Sequence, residues 1–237
     1  MFGLVQGFLS LTFPVDCLAC GELAGAEAFC ETCARLVSPR AGQRCARCDT
    51  GVPGVHPVCG RCLVEPPPFE RGYGVFDYVG PVGDAIRAAK YDARPEALPA
   101  VAALLREHLP PELRRDPPGA VLGVPLHPKR LKRRGADAPA MLARTVARGL
   151  GVPCLTGALL RLRDTRPQAG LSARERAANV AGAFTPGRRP LPGDVLVVDD
   201  ITTTGATLRA VAAAAREAGA TRVRVLTAAV ADRADGP

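Results

Sequence analysis

Eight of the nine cysteines fall within the first 62 residues, as four pairs: 17-CLAC-20, 30-CETC-33, 45-CARC-48 and 59-CGRC-62. A second group of reactive side chains lies near the other end, in 195-VLVVDDITTTGATL-208. There four apolar residues run into Asp199 and Asp200, followed by Thr202, Thr203, Thr204, Gly205, Ala206 and Thr207. The two groups imply different chemistry. A CxxC pair turns both thiolates of one tight bend toward a single ion, and two such pairs supply a tetrahedral four-sulfur site. Four pairs therefore predict two structural zinc ions, held by Cys17, Cys20, Cys30, Cys33, Cys45, Cys48, Cys59 and Cys62. Iron–sulfur clusters favour more compressed spacings. Disulfides suit oxidising compartments, whereas this chain reads as cytoplasmic. Spacing leaves two pairings open, sequential or crossed. Gly21 and Gly60, each beside a cysteine, are expected to relax the backbone of a knuckle.

The aspartate–threonine stretch predicts an anion site. Four apolar residues without polar alternation suit a parallel strand covered on both faces. Ligands of open α/β sheets collect at the carboxyl ends of such strands. A helix starting after the threonines would present free N–H groups and the positive end of its dipole, which hold phosphate. Gly205 lets the backbone approach the ligand closely, and the hydroxyls add donors. The two carboxylates accept O–H bonds, as the vicinal hydroxyls of a sugar would offer. A phosphorylated sugar is the implied ligand. A plain helix cap at Thr202 or Thr203 is the competing reading, but a cap needs one polar residue, not two acids, four threonines and a glycine.

These groups need elements to position them. Strands are predicted over 73–79, 120–125, 157–162, 194–200 and 222–230, and an Arg-rich stretch leads to 182-GAFTP-186, which is given no element. Helices are predicted over 82–91, 95–109 (stopped by Pro110 and Pro111), 136–149 and 205–218. The basic run between 124 and 135 reads as a loop. Strands alternating with helices predict an α/β fold with an open, mostly parallel sheet. The composition changes near 64-VEPPPF-69, so the chain divides into a cysteine-rich part, 1–65, and an α/β part, 66–237. The small first part has few large apolar residues and depends on metal to fold. Residues 1–17 read as a short amphipathic lead-in helix, and Cys154 as a small core residue.

Apolar residues make up 47% of the 237, which is enough for a packed core and argues against disorder. No 18-residue apolar run is present, so membrane insertion is not expected. The net charge is +8, and of 31 basic residues only Lys90, Lys129 and Lys132 are lysine. Arginine grips phosphate through a planar fork, so the balance suits anionic ligands.

At these residues a family resemblance emerges. The stretch 195–208 resembles the phosphoribosyl pyrophosphate (PRPP) signature of type I phosphoribosyltransferases. Joined to a zinc-ribbon N-terminus, it resembles the ComF family over nearly the whole chain. The segment 124-VPLHPKRLKRRG-135 is similar to the family's basic loop, where the pyrophosphate loop of phosphoribosyltransferases lies, although Ala136 and Asp137 replace the usual Phe-Asn. The segment 163-RDTRPQAGLSARERAANVAGAF-184 is similar to the family's mobile loop, and 87-RAAKYDARPE-96 to its Lys-aromatic motif. The resemblance implies PRPP binding with Mg²⁺ by Asp199, Asp200, Thr202, Thr203, Thr204, Gly205, Ala206 and Thr207, with Lys129 and Arg130 at the pyrophosphate. It implies transfer of phosphoribose to an acceptor the motifs do not name. Candidate catalytic groups are Asp199, Asp200, Lys129, Arg166 and Arg174, while His127 reads as a donor or bystander. The family's link to competence implies DNA-uptake partners, and, as the alternative to transfer, binding of single-stranded DNA.

Overall fold

The computed structural model describes residues 15–54, 56–92, 94–165 and 172–231. Residues 1–14 of the expected lead-in helix and Arg166 lie outside these residues, as does the side chain of Arg174, while residues 15–17 are not helical and Asp16 bridges to Leu23.

Four strands form one parallel sheet in the order β1-β6-β5-β2, with β1 at Arg71–Asp77, β2 at Ala120–Gly123, β5 at Asp194–Thr202 and β6 at Arg222–Val230. Every strand of this sheet was anticipated from its apolar run. The central pair β5 and β6 is buried nearly end to end, which is why neither shows polar alternation in sequence. Burial nevertheless sorts their side chains by period two. Leu196, Val198, Leu226 and Ala228 face one core, while Val195, Val197, Val223 and Val225 face the other.

The first core is covered by α3 (Gly80–Tyr91), α4 (Ala97–Glu107) and α7 (Ala138–Leu150), through Ile86, Val101, Leu105, Leu142 and Val146. The second is covered by α9 (Ala206–Glu217), through Leu208 and Val211. The expected stop at Pro110 and Pro111 is a corner: α4 ends at Glu107, and Pro111 starts the short helix α5 (Pro111–Arg115). Proline lacks only an N–H that the first helical turn leaves unpaired anyway.

Segments 157–162 and 182–186 do not join the main sheet. They form a separate antiparallel pair, β3 (Leu159–Arg161) with β4 (Phe184–Pro186), and Leu159 and Phe184 pack into the second core. Helix α8 (Ala173–Val180) precedes β4, opened by a capping box in which Ser172 and Glu175 satisfy each other's backbone N–H.

The basic segment read as a loop is instead mostly helix, α6 (Pro128–Arg134). The ring of His127 accepts from the Lys129 N–H at 3.3 Å, Pro128 takes the first turn, and Gly135 ends the helix at φ 69°. Cys154 is only partly buried; its backbone bridges to Val121 at the outer edge of β2.

Among its described residues the cysteine-rich part carries two short helices, α1 (Glu31–Arg35) and α2 (Gly60–Val64). It lies along the free edge of β1, where Arg40 N–H donates to Val75 O at 2.8 Å and Gly72 N–H to Arg47 O at 2.7 Å. The Asp49 carboxylate accepts the Gly74 N–H at 2.7 Å, and the buried Arg40 guanidinium bridges Asp49 O and the Asp77 carboxylate. An unpaired strand edge invites aggregation, and this arrangement covers it. A Cβ at Gly74 would stand 2.1 Å from Val230 Cγ2, so only glycine fits there.

Candidate functional site

The eight predicted cysteines gather in sequential order. Cys17, Cys20, Cys30 and Cys33 form one group and Cys45, Cys48, Cys59 and Cys62 the other, with all sulfurs of a group within 4.8 Å of one another. Cys20 and Cys30 sulfurs are 3.7 Å apart, and Cys48 and Cys59 sulfurs 3.6 Å. A tetrahedral zinc with Zn–S near 2.3 Å demands an edge of about 3.8 Å, so the thiols already stand where the ion needs them. Their electrostatics point the same way. Burial disfavours the Cys17 and Cys45 thiolates, yet surrounding backbone N–H groups bring them down to about 6 and about 7. Burial and neighbouring thiols push Cys33 up to about 12 and raise Cys62 as well. Four crowded thiols cannot all ionise without a cation to share, so these are two structural zinc sites. Gly21 adopts the left-handed backbone expected of a knuckle, at φ 78°, whereas Gly60 does not and instead starts α2.

The second group stands at the carboxyl end of β5. Asp199 and Asp200 are 8% and 6% exposed. Each carboxylate turns back onto the chain: Asp199 Oδ1 accepts from the Asp200 N–H at 2.9 Å, and Asp200 Oδ1 from the Ile201 N–H at 2.7 Å. Lys90, from the last turn of α3, brings its Nζ to 2.7 Å from Asp200 Oδ2 with both side chains almost enclosed. Burial first, and the neighbouring Asp200 charge second, raise Asp199 to about 7, with Lys90 and Arg161 opposing.

The threonines then turn into α9. Gly205 holds φ 73° as its N-cap with no side chain capping it, and Thr204 Oγ1 lies 3.4 Å from the Ala206 N–H. The cap reading at Thr202 or Thr203 is therefore not what the chain adopts. Asp199, Ile201, Thr202, Thr203, Gly205, Ala206, Thr207 and Leu208 line a small cavity of about 20 Å³. Arg176 of α8 donates to Thr203 Oγ1 at 3.0 Å. From the cysteine-rich part, Arg61 donates to the Thr204 carbonyl, and Arg209 of α9 donates to Glu65 O at 2.9 Å.

The basic residues divide. Lys129 is exposed on the first turn of α6. Arg130 is buried: it donates to Thr165 O at 2.5 Å and lies 3.6 Å from Asp164. The buried Arg161 donates to Thr165 Oγ1 at 2.5 Å and stacks on Phe184. Asp137 caps α7, accepting from Ala140 N–H at 3.0 Å. Sequence reasoning singled out neither Arg161 nor Arg61, took Arg176 only as part of the 163–184 segment, and marked Lys90 only as the lysine of the Lys-aromatic segment 87–96 and one of three lysines in a chain that otherwise uses arginine.

The chain matches two family models: the double zinc ribbon domain over residues 8–63 and the phosphoribosyl transferase domain over residues 139–237. It is 35% identical to the DNA utilization protein YhgH of Salmonella typhimurium over 83% of this chain and 88% of that one. Identity to the Escherichia coli K12 protein of the same name is 34%, over 91% and 96%. Identity to Competence protein F of Haemophilus influenzae is 28%, over 90% and 96%. Two four-cysteine ribbons ahead of a parallel sheet with an acid pair and threonine loop, together with these relatives, place the chain in the ComF family of double zinc ribbon–phosphoribosyltransferase proteins.

Proposed function

We propose that the protein binds PRPP at the carboxyl end of β5 and transfers its phosphoribosyl group to an acceptor, in the service of DNA utilisation. One observation carries the reading: two buried carboxylates end a parallel strand, and the next helix opens at Gly205, which has no side chain to cap it, with Thr204 Oγ1 accepting the Ala206 N–H only at a long 3.4 Å. The N–H groups of Gly205, Ala206 and Thr207 and the hydroxyls of Thr202, Thr203, Thr204 and Thr207 hold the 5′-phosphate. Asp199 and Asp200 hold the ribose hydroxyls, and Lys90 offsets part of their charge. Lys129 meets the pyrophosphate. Arg130 is engaged with Asp164 and Thr165 and so steadies that neighbouring segment instead. The paired carboxylates also suit Mg²⁺, a hard cation that takes oxygen ligands. When bound, it supplies positive charge for the departing pyrophosphate. Preorganised N–H groups and Lys129 stabilise the same developing charge at no reorganisation cost.

The test is a PRPP titration with and without Mg²⁺, comparing the wild type with Asp199→Ala/Asp200→Ala. The double variant is expected to lose about a hundredfold or more in affinity, the worth of two charge-assisted hydrogen bonds. Equal binding by both proteins sinks the site. Pyrophosphate release with candidate acceptors then separates a transferase from a PRPP-sensing protein.

A second reading, single-stranded DNA binding, is favoured by Lys129, Lys132 and Arg133, exposed together on α6. Filter binding should show log K falling with log salt at about 0.7 per phosphate neutralised. The names of the relatives suit a role in DNA uptake for either reading. A cytoplasmic location keeps thiols reduced and so suits two four-thiolate metal sites. We place the boundary between the two parts near residue 65.

A further inference from the structure

The second zinc ribbon reaches into the phosphate loop. Arg61 sits on α2 between the two metal-binding cysteines Cys59 and Cys62, and its guanidinium donates to the carbonyl of Thr204. That carbonyl shares a planar trans peptide with the N–H of Gly205, so the two groups point in opposite directions. Fixing the Thr204 oxygen therefore fixes where the Gly205 N–H points. A flip of this peptide would turn an oxygen, with its partial negative charge, toward an anion instead of a donor. The left-handed backbone of Gly205, φ 73°, is the kind of position at which such a flip is sterically open.

A second grip reinforces the first. Arg209 lies in the first turn of α9, its N–H bonded to Gly205 O at 2.9 Å. Its guanidinium reaches back to Glu65 O at 2.9 Å and to Cys62 Sγ at 3.9 Å. Loop and helix N-terminus are thus both tied to the knuckle 59–62. The five-residue helix α2, which carries Arg61 and Cys62, closes on the Cys45–Cys48–Cys59–Cys62 group, whose four sulfurs lie within 4.8 Å of one another and are locked in place by a shared ion. The first ribbon is placed differently: Leu18 and Phe29 join the core on the opposite face of the sheet, with Val198 and Leu226.

We propose that Arg61 is a positioning residue for the phosphate loop, through which metal in the second ribbon and a phosphorylated sugar on the loop stabilise each other. The inference rests on the PRPP reading above and adds a coupling between its two sites. Linkage makes such coupling reciprocal: if zinc favours sugar phosphate binding, the sugar phosphate must retain zinc by the same factor.

The experiment uses full-length protein with two zinc equivalents and ribose 5-phosphate as an unreactive probe. Zinc release to a chromophoric chelator is followed with and without the probe, and probe affinity is measured by calorimetry. In the wild type, the probe is expected to slow release of one zinc equivalent by about tenfold and leave the other unchanged. Arg61→Ala should keep two zincs and an unaltered circular dichroism spectrum, yet lose the protection and bind the probe about tenfold more weakly. Arg61→Lys, which keeps one donor, should recover part of both. Protection of both zincs, or of neither, overturns the proposal, as does an Arg61→Ala variant that behaves like the wild type. If the wild type binds neither ribose 5-phosphate nor PRPP, the PRPP reading falls and takes this one with it. If Asp199→Ala/Asp200→Ala abolishes binding while Arg61→Ala changes nothing, only the coupling falls.

Discussion

Asp199 and Lys90 concentrate the electrostatics of the site. Burial and the adjacent Asp200 raise Asp199 from 3.8 to about 7. This is the reverse of the usual carboxylate case. The native state holds a proton that the unfolded chain has already lost between roughly pH 4 and 7, so stability falls as pH rises through that window. Asp199→Asn should remove this slope and, at pH 8, be more stable than the wild type by on the order of 2 kcal/mol. Urea unfolding at pH 5 and pH 8 checks it; a slope unchanged in the variant would assign the pH dependence elsewhere. Lys90 is the complementary case. Lys90→Met leaves Asp200 buried without its partner, a loss of about 3 kcal/mol. The double variant Lys90→Met/Asp200→Asn should recover most of it in thermal melts, because no charge then remains unpaired.

At the scale of elements, the glycines at the strand ends separate strain from collision. A Cβ at Gly205 meets nothing within 4 Å, so Gly205→Ala costs only the left-handed backbone, about 1 kcal/mol. A Cβ at Gly123, at the end of β2, would stand 2.7 Å from the Pro139 carbonyl at the start of α7. Gly123→Ala should therefore cost more, about 2 kcal/mol, as overpacking does. Denaturant midpoints for the two variants give the order directly. The same scale shows what the sequence made legible. The apolar runs of β5 and β6 announced buried parallel strands because no side chain there meets water. The α6 segment carried Pro128 and Gly135, the start and stop signals of a helix, but seven residues so rich in charge mask the periodicity. The β3–β4 pair could not be told from a main-sheet strand, since an apolar run says nothing about which partner it finds.

For the whole molecule, the ribbons, the sheet and the site are one mechanical unit. The cysteine-rich part covers the free edge of β1 and touches the threonine loop ahead of α9, so removing zinc has consequences beyond the ribbons. Chelation of both ions should expose the β1 edge, and light scattering should rise on warming well below the holo protein's melting temperature. Restoring zinc before warming should prevent it. A chelated protein that stays monodisperse would show that the edge is protected by the Arg40–Asp49–Asp77 contacts without the metal.

What the sequence by itself determined is local. CxxC spacing names a thiolate site because two residues of one turn must share an ion, and an apolar run ending in two acids and a threonine turn announces a buried strand whose carboxyl end leads into a helix. Which cysteine pairs share an ion, that Lys90 neutralises Asp200, and that Arg61 reaches Thr204 across 143 residues of chain were decided only by tertiary structure. Those contacts depend on how separately specified elements pack, and an isolated residue type carries no record of the neighbour that packing brings to it.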